Sequence, residues 1–148
     1  MRGGSRDRWA RQPRWVRWTL AVYLIGFLEG AGAHFLDLIG GGIHAYASFA
    51  PVPLQVFFVS LAVLDPMVVV LVGCVRSAGV RLAGGVMVLD VISNWIVNWA
   101  WLQRNPAWLL RPVGLLPITL FGLFVIATLL PLLRALKGVT LHLSCTTR

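Results

Sequence analysis

Four apolar runs set the limits of this chain. They fall near residues 18–39, 54–75, 82–101 and 115–133, each close to the ~20 residues that carry a helix across ~30 Å of hydrocarbon. A spanning segment must satisfy its own backbone hydrogen bonds in lipid, which leaves helices for runs of this length. The expected fold is therefore all-α, a four-transmembrane-helix bundle over 18–134. A basic leader, 1–17, precedes it, and a loosely ordered polar tail, 135–148, follows. Only 12% of the residues are charged and 58% are hydrophobic, against roughly 25% charged in soluble domains.

The net charge of +8 would suit nucleic acid, but its placement points to lipid instead. Arg2, Arg6, Arg8, Arg11, Arg14 and Arg17 lie in the leader, and most other basic residues lie at helix ends. Anionic headgroups are the natural counterpart of such clusters. Trp9, Trp15 and Trp18 suit the headgroup layer. Counted by side, the leader, Arg76, Arg81, Arg134, Lys137 and Arg148 oppose only Arg104 and Arg111. The positive-inside rule then places both termini in the cytoplasm. The expected partner is the bilayer, with no nucleic acid. Ala31-Gly32-Ala33 has the form of a signal-peptidase site. Glu29 interrupts the preceding apolar run, so the segment reads as a retained first span.

Acids inside these spans stand out. A carboxylate at mid-bilayer costs roughly 2.5–3.5 kcal/mol on insertion scales, yet the first three spans carry Glu29, Asp65 and Asp90 respectively. All three project to similar depth, with no Lys or Arg inside the spans to pair with them. Three ionised carboxylates in one dry bundle are untenable. One or more is protonated, or the site is wet, or a cation sits there. The plainer alternative is protonated acids acting as interhelical hydrogen-bond glue, worth about 0.6 kcal/mol each.

Neighbouring residues extend this candidate site. On the first span Glu29, Gly26, Gly30, Ala33, Asp37 and His34 fall within about 140° of one another at ~100° per residue. Small residues on such a face permit close helix approach, so Gly26 and Gly30 are a candidate face for a second copy. Gly40-Gly41-Gly42 ends this helix. In the second span Pro66 follows Asp65 and strips the carbonyl of Ala62 of its helix hydrogen bond. On the third span Asp90, Asn94 and Asn98 form an i, i+4, i+8 ladder able to hold water, a ligand or a neighbouring acid. The fourth span, with Pro117, Thr119, Gly122, Thr128 and Pro131, brings no ionisable group and reads as a wall. Trp95, Trp99, Trp101 and Trp108 read as interfacial anchors, or else as an aromatic lining above the acids.

His34-x-x-Asp37 with His44 resembles a metal cluster only weakly, since borderline metals want three or four placed ligands. The expectation is a His34–Asp37 hydrogen bond and no metal or other cofactor. Cys74 and Cys145 read as free thiols in a reducing compartment. No G-x-S-x-G, P-loop, H-E-x-x-H or C-x-x-C pattern is present.

His34-x-x-Asp-Leu38 at the end of the first span, with the Pro-led second span Pro53–Asp65–Pro66, resembles the layout of the EXPERA family of four-helix membrane proteins. The resemblance implies a lipid-like or sterol substrate in a pocket walled by the helices. A protonated carboxyl would there give a proton to a double bond while a second carboxylate takes one away.

Three functions follow as expectations. The first is a small binding or transport protein whose site, Glu29, Asp65, Asp90, Asn94, Asn98, His34 and Asp37, takes a proton, a cation or a small lipid-like or amine ligand. The second is an intramembrane isomerase using Glu29, Asp65 and Asp90 as acid-base groups. The third is an accessory subunit packing through Gly26 and Gly30.

Overall fold

The computed structural model describes residues 5–110 and 114–145. Arg2, Arg111, Pro112 and Arg148 lie outside the described residues, as do the side chains of Trp108 and Cys145. The chain forms α1 (Ser5–Ala10), α2 (Arg14–Gly41), α3 (Val52–Gly73), α4 (Ser77–Arg104) and α5 (Leu115–Cys145). Short 3₁₀ turns at Gly42–His44 and Pro106–Leu110 complete it. Four of these helices are long and apolar enough to cross a membrane, over Arg14–His44, Val52–Gly73, Ser77–Arg104 and Leu115–Lys137. The protein is thus an all-α, multi-pass bundle by length and composition.

The spans are longer than their apolar runs. α2 begins at Arg14, inside the expected leader, and α5 continues past Leu133 through the expected loose tail to Cys145. Backbone hydrogen bonding propagates a helix beyond its apolar stretch, Arg134 and Lys137 do not oppose it, and α5 continues through Gly138. α3 runs through Pro66 as one helix. At the end of α2, Gly42 adopts φ +61° and its N–H bonds the Leu38 carbonyl, the left-handed cap the glycine run predicts.

Each span turns one helical stripe inward. Val16, Leu20, Tyr23 and Phe27 on α2 are buried against Phe58, Leu61, Val68 and Val72 on α3. Val80, Ala83, Val86 and Met87 on α4 and Val125, Leu132 and Leu136 on α5 complete the core. Ile25, Leu28, Val56, Val63, Leu89, Ile92, Leu120 and Leu123 are exposed, while Asp65, Asp90 and Ser93 are buried. Apolar residues outside and the Asp65 and Asp90 carboxyls inside is the distribution a lipid solvent selects.

The helices pack in chain order, α2 on α3, α3 on α4 and α4 on α5. The ring closes where α2 meets α5 at one level. There the Tyr23 hydroxyl donates to the Val125 carbonyl at 2.8 Å and lies 3.0 Å from Thr128 Oγ1. One turn on, the Phe27 and Phe121 rings meet edge to face at 5.6 Å. A Cβ on Gly26 would collide with the Phe121 ring.

The leader is docked onto the bundle. α1 folds so that Trp9 Nε1 donates to the Gly73 carbonyl at 2.7 Å, satisfying one of the orphan carbonyls that end α3. The α3–α4 turn is a Schellman arrangement, with Val75 N to Val72 O at 2.8 Å and Arg76 N to Leu71 O at 3.0 Å. Its left-handed position is occupied by Val75, at φ 53°.

A candidate cation site in a half-open cavity

Beyond the Tyr23–Val125 clasp, α2, α3, α4, α5 and the loop after α2 line a cavity of about 630 Å³. Gly26, Phe121 and Met87 lie at the clasp end. Toward the other end of the bundle it is lined by Asp37, Tyr46, Asn98, Trp101, Gly114 and Leu115. Its flank carries Val22, Ile25, Pro117 and Ile118, of which Ile25 is strongly exposed.

All seven residues expected to bind a ligand line this one space: Glu29, His34, Asp37, Asp65, Asp90, Asn94 and Asn98. The chain has five acids, and all but Asp7 are here. Among the described residues that line it, none is Lys or Arg. The acids are not equivalent, however. Asp65 and Asp90 are buried, at 5% and 8% exposure, whereas Glu29 and Asp37 are exposed. All three expected acids line the same space, with Glu29 on its exposed rim and Asp65 and Asp90 in its buried part. The helices turn the Glu29 and Asp65 side chains to different extents toward the centre.

Asp65 comes from mid-α3 and lies against Gly30, where a Cβ would sit 2.9 Å from its Oδ2. The expected face for a second copy is thus filled from within the chain, by Phe121 at Gly26 and by Asp65 at Gly30. Asp90, on α4, is buried in the lining of the same space. Asn94 Nδ2 donates to Asp90 Oδ1 at 2.9 Å, and Asn98 Nδ2 donates to the Asn94 carbonyl at 2.9 Å. These bonds run within the ladder itself, and the amide oxygens are further acceptors on one side of α4.

At the far end, His34 and Asp37 do not bond each other directly. Tyr46, from the loop after α2, stands between them. Its hydroxyl donates to Asp37 Oδ2 at 3.1 Å and lies 2.9 Å from His34 Nδ1. The other ring nitrogen, His34 Nε2, faces Asp65 Oδ2 at 4.0 Å. Tyr46 is 5% exposed, packed by Phe49 and Phe58. Burial, then the charge and hydrogen bond of Asp37, push its phenol well above the usual tyrosine range, so it stays a phenol. His44 is exposed and apart from this group. Among the described residues, no three His, Cys, Asp or Glu side chains gather as a metal site.

Tyr46 is the residue that sequence reasoning missed. Its signal was an aromatic hydroxyl in the short loop directly after His34 and Asp37. Of the tryptophans, one lines the cavity as the aromatic alternative expected and one bonds a neighbouring helix instead. Trp95 Nε1 donates to Thr119 Oγ1 at 2.9 Å, tying α4 to α5. Trp101 lines the cavity, with the Arg104 guanidinium 5.9 Å from its ring centre. Comparison with known protein families, with characterised proteins and with solved structures yields no match.

Proposed function

We propose that this multi-pass membrane protein binds a protonated amine carried on an apolar body, and holds or transports it. One observation carries this reading: four of the chain's five acids line a single cavity that no described Lys or Arg enters. Uncompensated carboxylates in a low-dielectric space favour a cation strongly. Phe27, Phe49, Phe58, Met87, Ile118 and Phe121 give the lining an apolar part that suits a hydrocarbon or ring system. Trp101 adds an aromatic face of the kind that attracts cations.

The test compares a long-chain primary amine with the alcohol of equal chain length, by thermal stabilisation of the purified protein. The amine stabilises and the alcohol does not, and Asp65→Asn and Asp90→Asn each remove the effect. Equal stabilisation by both compounds would mean that the cavity reads hydrocarbon alone, and the reading would fail.

The same cavity supports a second reading, the isomerase implied by the EXPERA resemblance. Two buried carboxyls among phenylalanines are the arrangement that proton shuttling across an alkene requires. Turnover of a sterol-like alkene would establish it, and inactivity across a broad lipid panel would remove it. The distribution of basic residues supports both termini in the cytoplasm. Reporter fusions at each end check that orientation.

A further inference from the structure

Asp37, Tyr46, His34 and Asp65 form a line of side chains, broken by one gap of 4.0 Å, from the exposed end of the bundle to its buried carboxyls. We propose that this line is a proton relay through which Asp65 exchanges protons with water at the Tyr46 end. The hydrogen bonds dictate the starting state. Tyr46 has one hydroxyl proton and gives it to Asp37 Oδ2. Its contact with His34 Nδ1 must therefore be donated by the ring, so Nδ1 carries the hydrogen. In the neutral imidazole that leaves Nε2 as a lone pair, aimed at Asp65 Oδ2 across 4.0 Å. This gap exceeds a hydrogen bond and closes with a small movement of either side chain.

The transfer balances. A proton on the Asp65 carboxyl passes to His34 Nε2, the Nδ1 proton passes to Tyr46 Oη, and the Tyr46 proton passes to Asp37 Oδ2. One proton has left Asp65 and one has arrived on Asp37. The ring is again neutral, now protonated at Nε2, and Tyr46 is again a phenol. Recharging Asp65 retraces the same bonds, so no ring flip is needed. The other titratable groups facing this line are Asp90 from α4 and Glu29 from α2, and the described residues of α5 that line the cavity bring none. Asp90 is held by Asn94, and Glu29 stands on the rim.

The experiment needs no ligand, so its failure would leave the amine reading standing. Protein is placed in lipid nanodiscs, which seal the flank of the cavity with hydrocarbon. After a rapid pH jump, the infrared carboxyl bands of Asp65 and Asp90, assigned with Asp65→Asn and Asp90→Asn, are followed in time. Tyr46→Phe keeps the ring contacts and removes only the hydroxyl. It slows the carboxyl response by about a hundredfold, the scale a positioned proton-transfer group supplies, while the final band amplitudes match wild type. Asp37→Asn slows it likewise, and His44→Gln, at the same end but off the line, does not. A wild-type rate in Tyr46→Phe, or equal slowing in His44→Gln, would overturn the relay and leave Tyr46 as a latch for its loop.

Discussion

Gly30 and Asp65 are in direct contact across the α2–α3 interface: a Cβ at position 30 would stand 2.9 Å from Asp65 Oδ2. A buried carboxyl thus keeps its place because the facing helix has no side chain there. Gly30→Ala turns this into a measurable separation of stability from function. The alanine gains about 1 kcal/mol of helix propensity, which offsets the cost of turning the carboxyl aside. The expected result is a melting temperature within a few degrees of wild type, with amine affinity reduced about tenfold. A large drop in melting temperature would show that the Asp65 carboxyl cannot move.

Gly26 makes the same kind of contact with an aromatic ring. Gly26→Val drives two methyl groups into Phe121 and is expected to cost about 1–3 kcal/mol, as overpacked cores do. Chemical denaturation of the purified chain in detergent measures this. Unchanged stability together with loss of an oligomer would instead put Gly26 on an outer face.

Tyr46 supplies a pH dependence. Its folded-state phenol titrates above the ordinary 10.0, so the folded state favours the neutral form. The associated stability is fully present below the unfolded value and is lost as pH rises past about 10 toward the folded one. Tyr46→Phe is therefore expected to leave thermal stability below about pH 10 without a new pH dependence and to flatten the fall above it. A parallel fall in both proteins would contradict the buried, Asp37-bonded phenol.

The Tyr23 clasp is a fourth case. Tyr23→Phe removes a buried hydroxyl from Val125 and Thr128. Thr128 keeps its own bond to the Phe124 carbonyl at 2.7 Å, so the loss is modest, about 0.6 kcal/mol for a bond of this kind in a membrane. Equilibrium unfolding reads the loss, and a value several times larger would mean that the α2–α5 closure depends on this one group.

The docked leader gives a fifth. Trp9→Phe removes the bond to the Gly73 carbonyl while keeping an aromatic ring. Arg6, Arg8 and Arg11 should then be cut faster by trypsin, because α1 leaves its dock more often. Unchanged cleavage would show that ring packing alone holds α1.

Hydropathy and acid placement made much of this legible. Four spans and their order follow from hydropathy, the Gly42 cap follows from the glycine run, and Glu29, His34, Asp37, Asp65, Asp90, Asn94 and Asn98 of the cavity lining follow from the high cost of polar groups in lipid. Glu29 and Asp65 were indistinguishable in one dimension because depth can be counted along a helix, whereas inward rotation depends on which neighbour packs where. Gly26 and Gly30 announced close approach without saying what approached. Tyr46 was passed over because a loop has no period, and only the return of the chain shows that its hydroxyl lands between His34 and Asp37. Trp9 was read as a headgroup residue, and its bond to Gly73 depends on α1 folding back, which no local signal encodes.

The lining of the cavity is divided unevenly along the chain. Every ionisable or amide group in it comes from residues 29 to 98, on α2, α3, α4 and the loop bearing Tyr46. The stretch from Gly114 to Phe121 contributes Leu115, Pro117, Ile118 and Phe121, all apolar. Affinity for charge and tolerance for shape are therefore written in separate parts of the sequence. Substitutions in the first turns of α5 can resize the space for a different hydrocarbon while the carboxyls, their partners and the line to the surface stay as they are.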